Sequence, residues 1–241
     1  MTSTDHAPRN NEAAYVLHTY PYRETSLIVE ALSRHAGRVA LIARGAKRPR
    51  SAIRGQLLSF QPLELSWYGK SEPRTLRKAE WRGGQPMLQG LALLCGFYMN
   101  ELLLKLLPRD DPHEVLFDAY AVALQRLAKA EDLPPVLRRF ELGLLRELGY
   151  GLLLDYEPGT DKAVVAENAY TYVPDHGPVA QHNGGNQVQF RGKTLLDLQR
   201  EDFSDPITLA ESKQLLRSEI KHRLGKQELH TRQLLKDLQQ L

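Results

Sequence analysis

Five short stretches rich in strand-forming residues lie in the first third of the chain, and they constrain its fold more than any other feature. They cover residues 14–20, 26–32, 39–43, 57–67 and 74–81. Turn-forming residues separate them, and no stretch with a helical period intervenes. This pattern predicts a small closed barrel rather than a βαβ unit. The long connection between the third and fourth strands favours an OB-like barrel, with an SH3-like barrel as the alternative.

The hydrophobic period changes to that of helices after Gly83 and Gly84. Asp111 is a candidate cap for the second of these helices, and Thr231 can cap a last one. The other helices are predicted from apolar spacing and from Pro or Gly at their ends. The predicted helices cover residues 87–107, 112–130, 135–148 and 207–224.

Residues 152–192 differ from their surroundings because they are rich in Gly, Asn, Pro and His. Their short strand-like pieces predict a small hairpin inserted in a helical body. The chain is therefore predicted to be α+β. An OB-fold domain is expected over residues 1–83, and an α-helical domain over residues 84–241.

Composition excludes several classes of protein. The single cysteine, Cys95, permits neither an internal disulfide nor a cysteine-rich zinc site. No phosphate-binding glycine loop or nucleophile motif is present, so we expect no catalysis, cofactor or metal. Residues 1–12 lack the apolar segment of a secretion signal and predict a loose tail. Residues 91–99, the longest apolar run, are too few to span a bilayer, so a soluble, cytoplasmic protein without membrane contact is expected.

The most pointed candidate for function is a cationic connection between the third and fourth strands. Residues 1–85 hold 14 Lys and Arg against 7 Asp and Glu, whereas the remainder holds 18 against 22. The connection contains no acid, and its glycines allow close approach of the backbone to a ligand. It therefore predicts a phosphate-binding surface without sequence preference, although a solvated surface loop is the alternative. Its cations are Arg44, Lys47, Arg48, Arg50 and Arg54.

Aromatic and basic residues in two other connections extend this candidate nucleic-acid site. Tyr20 and Tyr22 lie in the first inter-strand turn, and Tyr68 lies beside Lys70 in the turn between the fourth and fifth strands. OB-folds hold oligonucleotides with these two connections, and aromatic rings there can stack on bases. We include Tyr22, Lys70 and Arg74 in the predicted DNA-binding set.

A pair of arginines on the third predicted helix is a second candidate site. Arg138 and Arg139 precede Phe140 and lie among leucines. They can be surface side chains whose stems cover apolar neighbours. Alternatively, they rim an apolar groove suited to a peptide with an acidic, apolar end.

The chain resembles the RecO family of bacterial recombination-repair proteins over most of residues 15–151. Any one of the matching motifs is weak, but their order and spacing make the set specific. The motifs are Tyr15-Val16-Leu17, Tyr22-Arg23-Glu24-Thr25-Ser26-Leu27, Gly37-Arg38-Val39, Arg44-Gly45-Ala46-Lys47-Arg48, Tyr98-Met99-Asn100-Glu101-Leu102-Leu103, Leu137-Arg138-Arg139-Phe140-Glu141 and Leu148-Gly149-Tyr150-Gly151.

The resemblance implies an OB-fold, a helical domain, and binding and annealing of single- and double-stranded DNA. It also implies action with RecR and single-stranded-DNA-binding protein in loading RecA, with Arg138 and Arg139 as candidates for gripping that protein's C-terminal tail. Many members carry a four-cysteine zinc module between helices. This chain departs from them, since residues 170–189 contain no cysteine. A metal-free remnant is therefore expected there.

Together, these features predict a non-enzymatic DNA-binding mediator of gap repair that is a monomer by itself. Two alternatives come from other classes. An RNA-binding OB module of a translation or RNA-processing factor would bind RNA as tightly as single-stranded DNA. A protein-interaction adaptor would use the basic connection for an acidic partner and would not bind DNA.

Overall fold

The computed structural model describes residues 9–129, 131–180, 188–231 and 233. These residues belong to two compact units, one formed by the chain up to Glu131 together with the residues from Leu229 onward, the other by Asp132–Glu228. The domain boundary predicted at residue 83 remains a prediction. The first compact unit contains the strands together with the two long helices that follow them.

The first unit begins with a closed five-stranded barrel, as the strand pattern predicts. Neighbours follow the order β1-β2-β3-β5-β4, and β1 closes the barrel by pairing with β4. Only β3 and β5 run parallel. This order, with a short helix α1 (Ala52–Gln56) between β3 and β4, is that of an OB-fold. The strands are β1 (Arg9–Tyr22), β2 (Ser26–Ser33), β3 (Gly37–Ala43), β4 (Leu63–Tyr68) and β5 (Arg74–Trp81).

Alternation along the strands builds the barrel core. Val29 on β2, Leu41 on β3 and Leu65 on β4 are fully buried, and small residues such as Ala31 and Ala43 fit between them. Because side chains alternate in direction, the residues one position away face outward. The core therefore fixes which side chains the barrel presents to a ligand.

Two strand boundaries differ from those predicted. The predicted loose tail is wrong from Arg9 onward, because residues 9–12 extend β1, and the buried Glu12 carboxylate accepts hydrogen bonds from Ser33 and His35. The fourth strand begins at Leu63 rather than at residue 57. Phe60 has a left-handed backbone (φ 67°), which interrupts an extended chain.

Helices α2 (Gly90–Leu106) and α3 (Glu114–Ala128) pack on the barrel within this unit. The buried Asn100 side chain donates to the Leu17 carbonyl of β1 at 2.8 Å, and the Tyr120 hydroxyl donates to Asn100 at 2.6 Å. The predicted capping of the second helix by Asp111 is wrong. The cap is His113, and the Asp111 carboxylate instead lies 3.3 Å from the His113 ring.

The Glu101 carboxylate on α2 contacts two residues of the same unit that follow α6 (Pro206–Leu224) in the chain. It accepts hydrogen bonds from the amides of His230 and Thr231 and from the Thr231 hydroxyl, at 2.6–2.9 Å. The predicted capping by Thr231 is wrong, because His230 is already helical and the Thr231 hydroxyl donates to Glu101 instead of accepting from a helix amide. Most of the predicted final helix lies outside the described residues.

The second unit contains helices and two small sheets. Helix α4 (Leu133–Glu147) ends before Gly149 (φ 81°), and α6 begins with Asp205 as its cap. Helix α5 (Gly192–Gln199) was not predicted, because eight residues give little periodic signal. The strands β6 (Tyr156–Glu157) and β7 (Lys162–Ala163) pair, and β8 (Ala169–Val173) lies between β9 (Gly177–Ala180) and β10 (Gln189–Arg191).

Polar contacts join the inserted strands of this unit to α5 and α6. The Arg191 guanidinium lies 3.1 Å from Asp205 and 3.4 Å from Glu211, and the Thr208 hydroxyl donates to Asp197 at 2.7 Å. The described residues contain no cluster of His, Cys, Asp or Glu that could hold a metal ion. A four-cysteine zinc site does not fit this region, because none of its residues is cysteine.

Candidate nucleic-acid interface

The cationic connection after β3 has a defined backbone. We call residues 44–54 the basic loop. Ala46 is completely buried against the barrel core, and the Lys47 amide donates to the Thr25 carbonyl in the turn after β1 at 2.8 Å. Gly45 has a φ of 66°, which a residue with a side chain rarely adopts. The loop is thus held on the barrel by its small residues and its backbone, and its long side chains are left to point outward.

The five cations of the basic loop are exposed to solvent. Within the part of the chain that the structure describes, none of them forms an ion pair. Two other arginines of this unit, Arg38 and Arg109, are paired with acids instead. Arg38 contacts the buried Glu30 at 3.1 Å, and Arg109 contacts both Glu30 and Glu72. The loop cations therefore retain charge that no acid among the described residues neutralises.

A cleft of about 750 Å³ lies between the basic loop and the turn after β1. Three guanidinium groups and one carboxylate, that of Glu24, line it, so its net charge is positive. The Arg23 guanidinium carbon lies 5.2 Å from the centroid of the Tyr22 ring, within cation–π range. The lining residues are Tyr22, Arg23, Glu24, Thr25, Ser26, Ile42, Arg44, Gly45 and Arg48.

The structure brings only part of the predicted DNA-binding set to this cleft. Tyr22, Arg44 and Arg48 line it together, whereas Lys70 is exposed in the turn between β4 and β5 and does not line it. The Arg74 guanidinium lies 2.6 Å from the Asp110 carboxylate and 3.9 Å from that of Glu72. Because the Arg74 guanidinium is paired with these two carboxylates, Arg74 is not part of the proposed interface.

Two cations absent from the predicted set extend the interface. Arg23 lines the cleft, and its position directly after Tyr22, the last residue of β1, was a signal available in the sequence. Arg77 is exposed on β5, where parallel pairing sets Ile42 beside Thr75. Arg77 therefore lies on the strand next to the one that leads into the basic loop. No sequence signal gives that pairing between strands.

The two arginines of α4 have different environments. Only 8% of the Arg138 side chain is exposed, and its guanidinium forms a 2.6 Å ion pair with Glu141. Arg138 therefore does not rim an open groove. The partly exposed Arg139 guanidinium lies 5.2 Å from the Phe203 ring centroid and 3.3 Å from the Glu201 carbonyl. Of the two, only Arg139 remains a candidate for contact with a partner.

A closed OB barrel whose cationic loop has no acidic partner among the described residues is typical of oligonucleotide-binding proteins. Comparison with known proteins gives its family. Residues 9–84 match the family model described as "Recombination protein O N terminal", and residues 87–233 match "Recombination protein O C terminal". The chain belongs to the RecO family of DNA repair proteins.

Full-length relatives agree with this assignment. A protein named DNA repair protein RecO from Nitrosospira multiformis is 52% identical over 241 residues, covering 99% of this chain and 100% of the relative. The protein of the same name from Dechloromonas aromatica is 54% identical over 237 residues, covering 96% of this chain and 97% of the relative. No described helix is long and apolar enough to cross a membrane.

Proposed function

We propose that this protein is a non-enzymatic mediator of recombinational gap repair that binds single- and double-stranded DNA and anneals complementary strands. One observation carries the proposal: the basic loop presents five exposed cations without acidic partners among the described residues. Cations of this kind are available to backbone phosphates and hold them without reading sequence. A mediator that acts at any gap requires such binding.

Annealing follows from the electrostatics of the interface. Two single strands repel each other through their phosphates, and this repulsion opposes their encounter. Cations on the basic loop and in the adjoining cleft would neutralise part of that charge on both strands. The bases would then pair without covalent chemistry, so annealing would need no catalytic residue. The reaction would take place in the cytoplasm, at the nucleoid.

Partner binding is a separate part of the proposal. Acting with RecR and single-stranded-DNA-binding protein, the chain would help to load RecA. The Arg139 guanidinium beside the apolar Phe203 ring suits the acidic, apolar C-terminal tail of the single-strand binder. Arg138 is buried in its ion pair with Glu141, so it would stabilise α4 rather than contact the tail.

An annealing experiment tests the proposal. Complementary oligonucleotides are mixed with the protein, either naked or coated with single-strand binder, and duplex formation is followed by fluorescence. We expect acceleration in both conditions, and deletion of the binder's C-terminal tail should remove it only for coated strands. Failure to accelerate annealing of naked strands would contradict the proposal. Equal or tighter binding of RNA than of single-stranded DNA would favour an RNA-binding module instead.

A further inference from the structure

A network of arginines and acids lies beside β3, in the same unit as the basic loop. Each of its arginines contacts at least one of its carboxylates, and the two kinds of charge are equal in number, so the network has no net charge. The basic loop, by contrast, has five cations and no acid. The members of the network are Arg38, Arg74, Arg109, Glu30, Glu72 and Asp110.

Arg74 is the arginine of this network that lies beside the proposed interface. It begins β5 and pairs with Leu41 on β3, and β3 leads into the basic loop at Arg44, three residues later. Three residues of extended strand span about 10 Å. On its other side, Arg74 follows the turn between β4 and β5, which carries the exposed Lys70. A DNA strand on the basic loop would therefore pass close to Arg74.

The backbone of Asp110 places its carboxylate against Arg74. Asp110 lies between α2 and α3, and its amide donates to the Arg38 carbonyl of β3 at 3.0 Å. Its φ of 58° is left-handed, a conformation that Asp and Asn adopt more readily than most residues. The carboxylate lies 2.6 Å from the Arg74 guanidinium, closer than the 3.9 Å of Glu72. Asp110 is therefore the main acidic partner of Arg74.

The pair of Arg74 with Asp110 lies where a phosphate can compete with the carboxylate. The Asp110 side chain is 35% exposed and that of Arg74 is 16% exposed, so water and solutes reach the pair. A carboxylate and a phosphate accept hydrogen bonds from the same guanidinium groups. Ion pairs that solvent reaches contribute little to stability, so the fold does not depend on this one. Its effect should therefore be on binding.

We infer that Asp110 is an autoinhibitory residue, because its carboxylate holds the Arg74 guanidinium back from the DNA phosphates on the basic loop. This inference rests on the proposed DNA binding and adds a limit on its strength. A protein that anneals two strands must also release the duplex that it forms. Each cation withheld from the phosphates weakens binding, and weaker binding mostly means faster dissociation. Asp110 would thus favour release of the product.

Three variants of the full-length chain test the role of Asp110. Asp110→Asn removes the charge and keeps a residue that suits the left-handed backbone. Addition of Arg74→Ala to this variant removes the pair as a neutral unit and restores the net charge of the parent. Asp118→Asn is a matched control, since Asp118 lies 2.8 Å from Arg34 in the turn between β2 and β3, at the other end of β3 from the basic loop.

Fluorescence anisotropy gives Kd for a labelled single strand of DNA over a range of salt concentrations. One added phosphate contact makes the slope of log affinity against log salt steeper by about 0.7. Asp110→Asn should show this change and bind about fivefold more tightly at about 0.1 M salt. The double variant and Asp118→Asn should keep the slope and the Kd of the parent protein.

Other outcomes overturn the inference. An unchanged Kd in Asp110→Asn, or an equal gain in Asp118→Asn, would mean that Asp110 does not restrain DNA binding specifically. A gain that survives Arg74→Ala would mean that Asp110 repels DNA directly and does not act through Arg74. Asp110→Gly also suits a positive φ and gives a second measurement, should Asp110→Asn lower the melting temperature.

Variants of the basic loop distinguish failure of this inference from failure of the proposed function. If their replacement by alanine weakens binding while Asp110→Asn leaves it unchanged, only the role of Asp110 is refuted. If alanine at Lys47, Arg48 and Arg50 also leaves Kd unchanged, the proposed DNA binding itself fails.

Discussion

Removal of three cations from the basic loop tests the interface most directly. In the triple variant Lys47→Ala, Arg48→Ala and Arg50→Ala, each replaced side chain is exposed. The contacts that hold the loop survive, because Ala46 remains buried and the amide of residue 47 still donates to the Thr25 carbonyl. We therefore expect a melting temperature close to that of the parent protein.

The size of the effect follows from counterion release. Each phosphate contact on a single strand contributes about −0.7 to the slope of log affinity against log salt concentration. Five contacts predict a slope of about −3.5, and loss of three leaves about −1.4. At about 0.1 M salt, the three missing contacts should weaken binding by roughly two orders of magnitude, or about 3 kcal/mol.

The assay is a salt titration of single-stranded DNA binding by fluorescence anisotropy. A matched control replaces Lys213, Arg217 and Lys221 with Ala, three exposed cations on α6 that change the net charge equally. The control should keep the parent slope and lose little affinity. An unchanged slope in the loop variant would refute the interface. Equal losses in both triple variants would show that net charge, rather than the loop, governs binding.

Three further predictions concern stability. Burial alone would raise the pKa of Glu101, but the hydrogen bonds that its carboxylate accepts lower that pKa. The carboxylate should therefore stabilise the fold above its unfolded pKa of about 4.3, and this stabilisation should be lost as pH falls through the folded pKa. Glu101→Gln should accordingly lower the melting temperature at pH 7 but not at acidic pH. Burial raises the pKa of Glu219, so the folded state binds a proton more tightly there than the unfolded state does, and the ionised carboxylate destabilises the fold at neutral pH. Glu219→Gln should therefore raise the melting temperature at pH 7, and this gain should shrink in acid. A lower melting temperature at pH 7 would contradict the prediction. Gly192→Ala should lower the free energy of unfolding by about 2 kcal/mol or more, because the new methyl group would clash with the Val165 carbonyl. Gly143 lies within a helix and has open space around it, so Gly143→Ala should raise the free energy of unfolding by about 0.5–1 kcal/mol. Equal thermal shifts for the two variants would refute the packing argument.

The barrel and the long helices could be predicted because their signals are periodic and local. Strand alternation and turn residues predicted five strands and the OB-like barrel, and apolar spacing predicted α2, α3, α4 and α6. The start of β1 could not be found in this way. Residues 9–12 are polar, and their place in the strand depends on pairing with β4 and on the partners of Glu12, which are distant in sequence. The positive φ of Phe60 likewise has no signal in composition.

The candidate site shows the same limit for charged residues. The basic loop could be singled out because it contains no acid within its own sequence, and the structure adds none to it among the described residues. Arg74 looked equivalent, but the fold brings Asp110, 36 residues away, to within 2.6 Å of it. Arg138 forms an ion pair with Glu141, which lies only one helical turn away, so this pairing could have been predicted from the sequence.

Pairing with an acid thus decides whether an arginine is available to a phosphate, and the distance along the chain to that acid decides whether sequence can reveal the pairing. The same reasoning applies to Tyr20 and Ile42. They are 22 residues apart in the sequence, and only the pairing of β1 with β2 and of β2 with β3 aligns them on one face. A basic segment can therefore be predicted from composition, whereas a row of apolar side chains across three strands requires strand register.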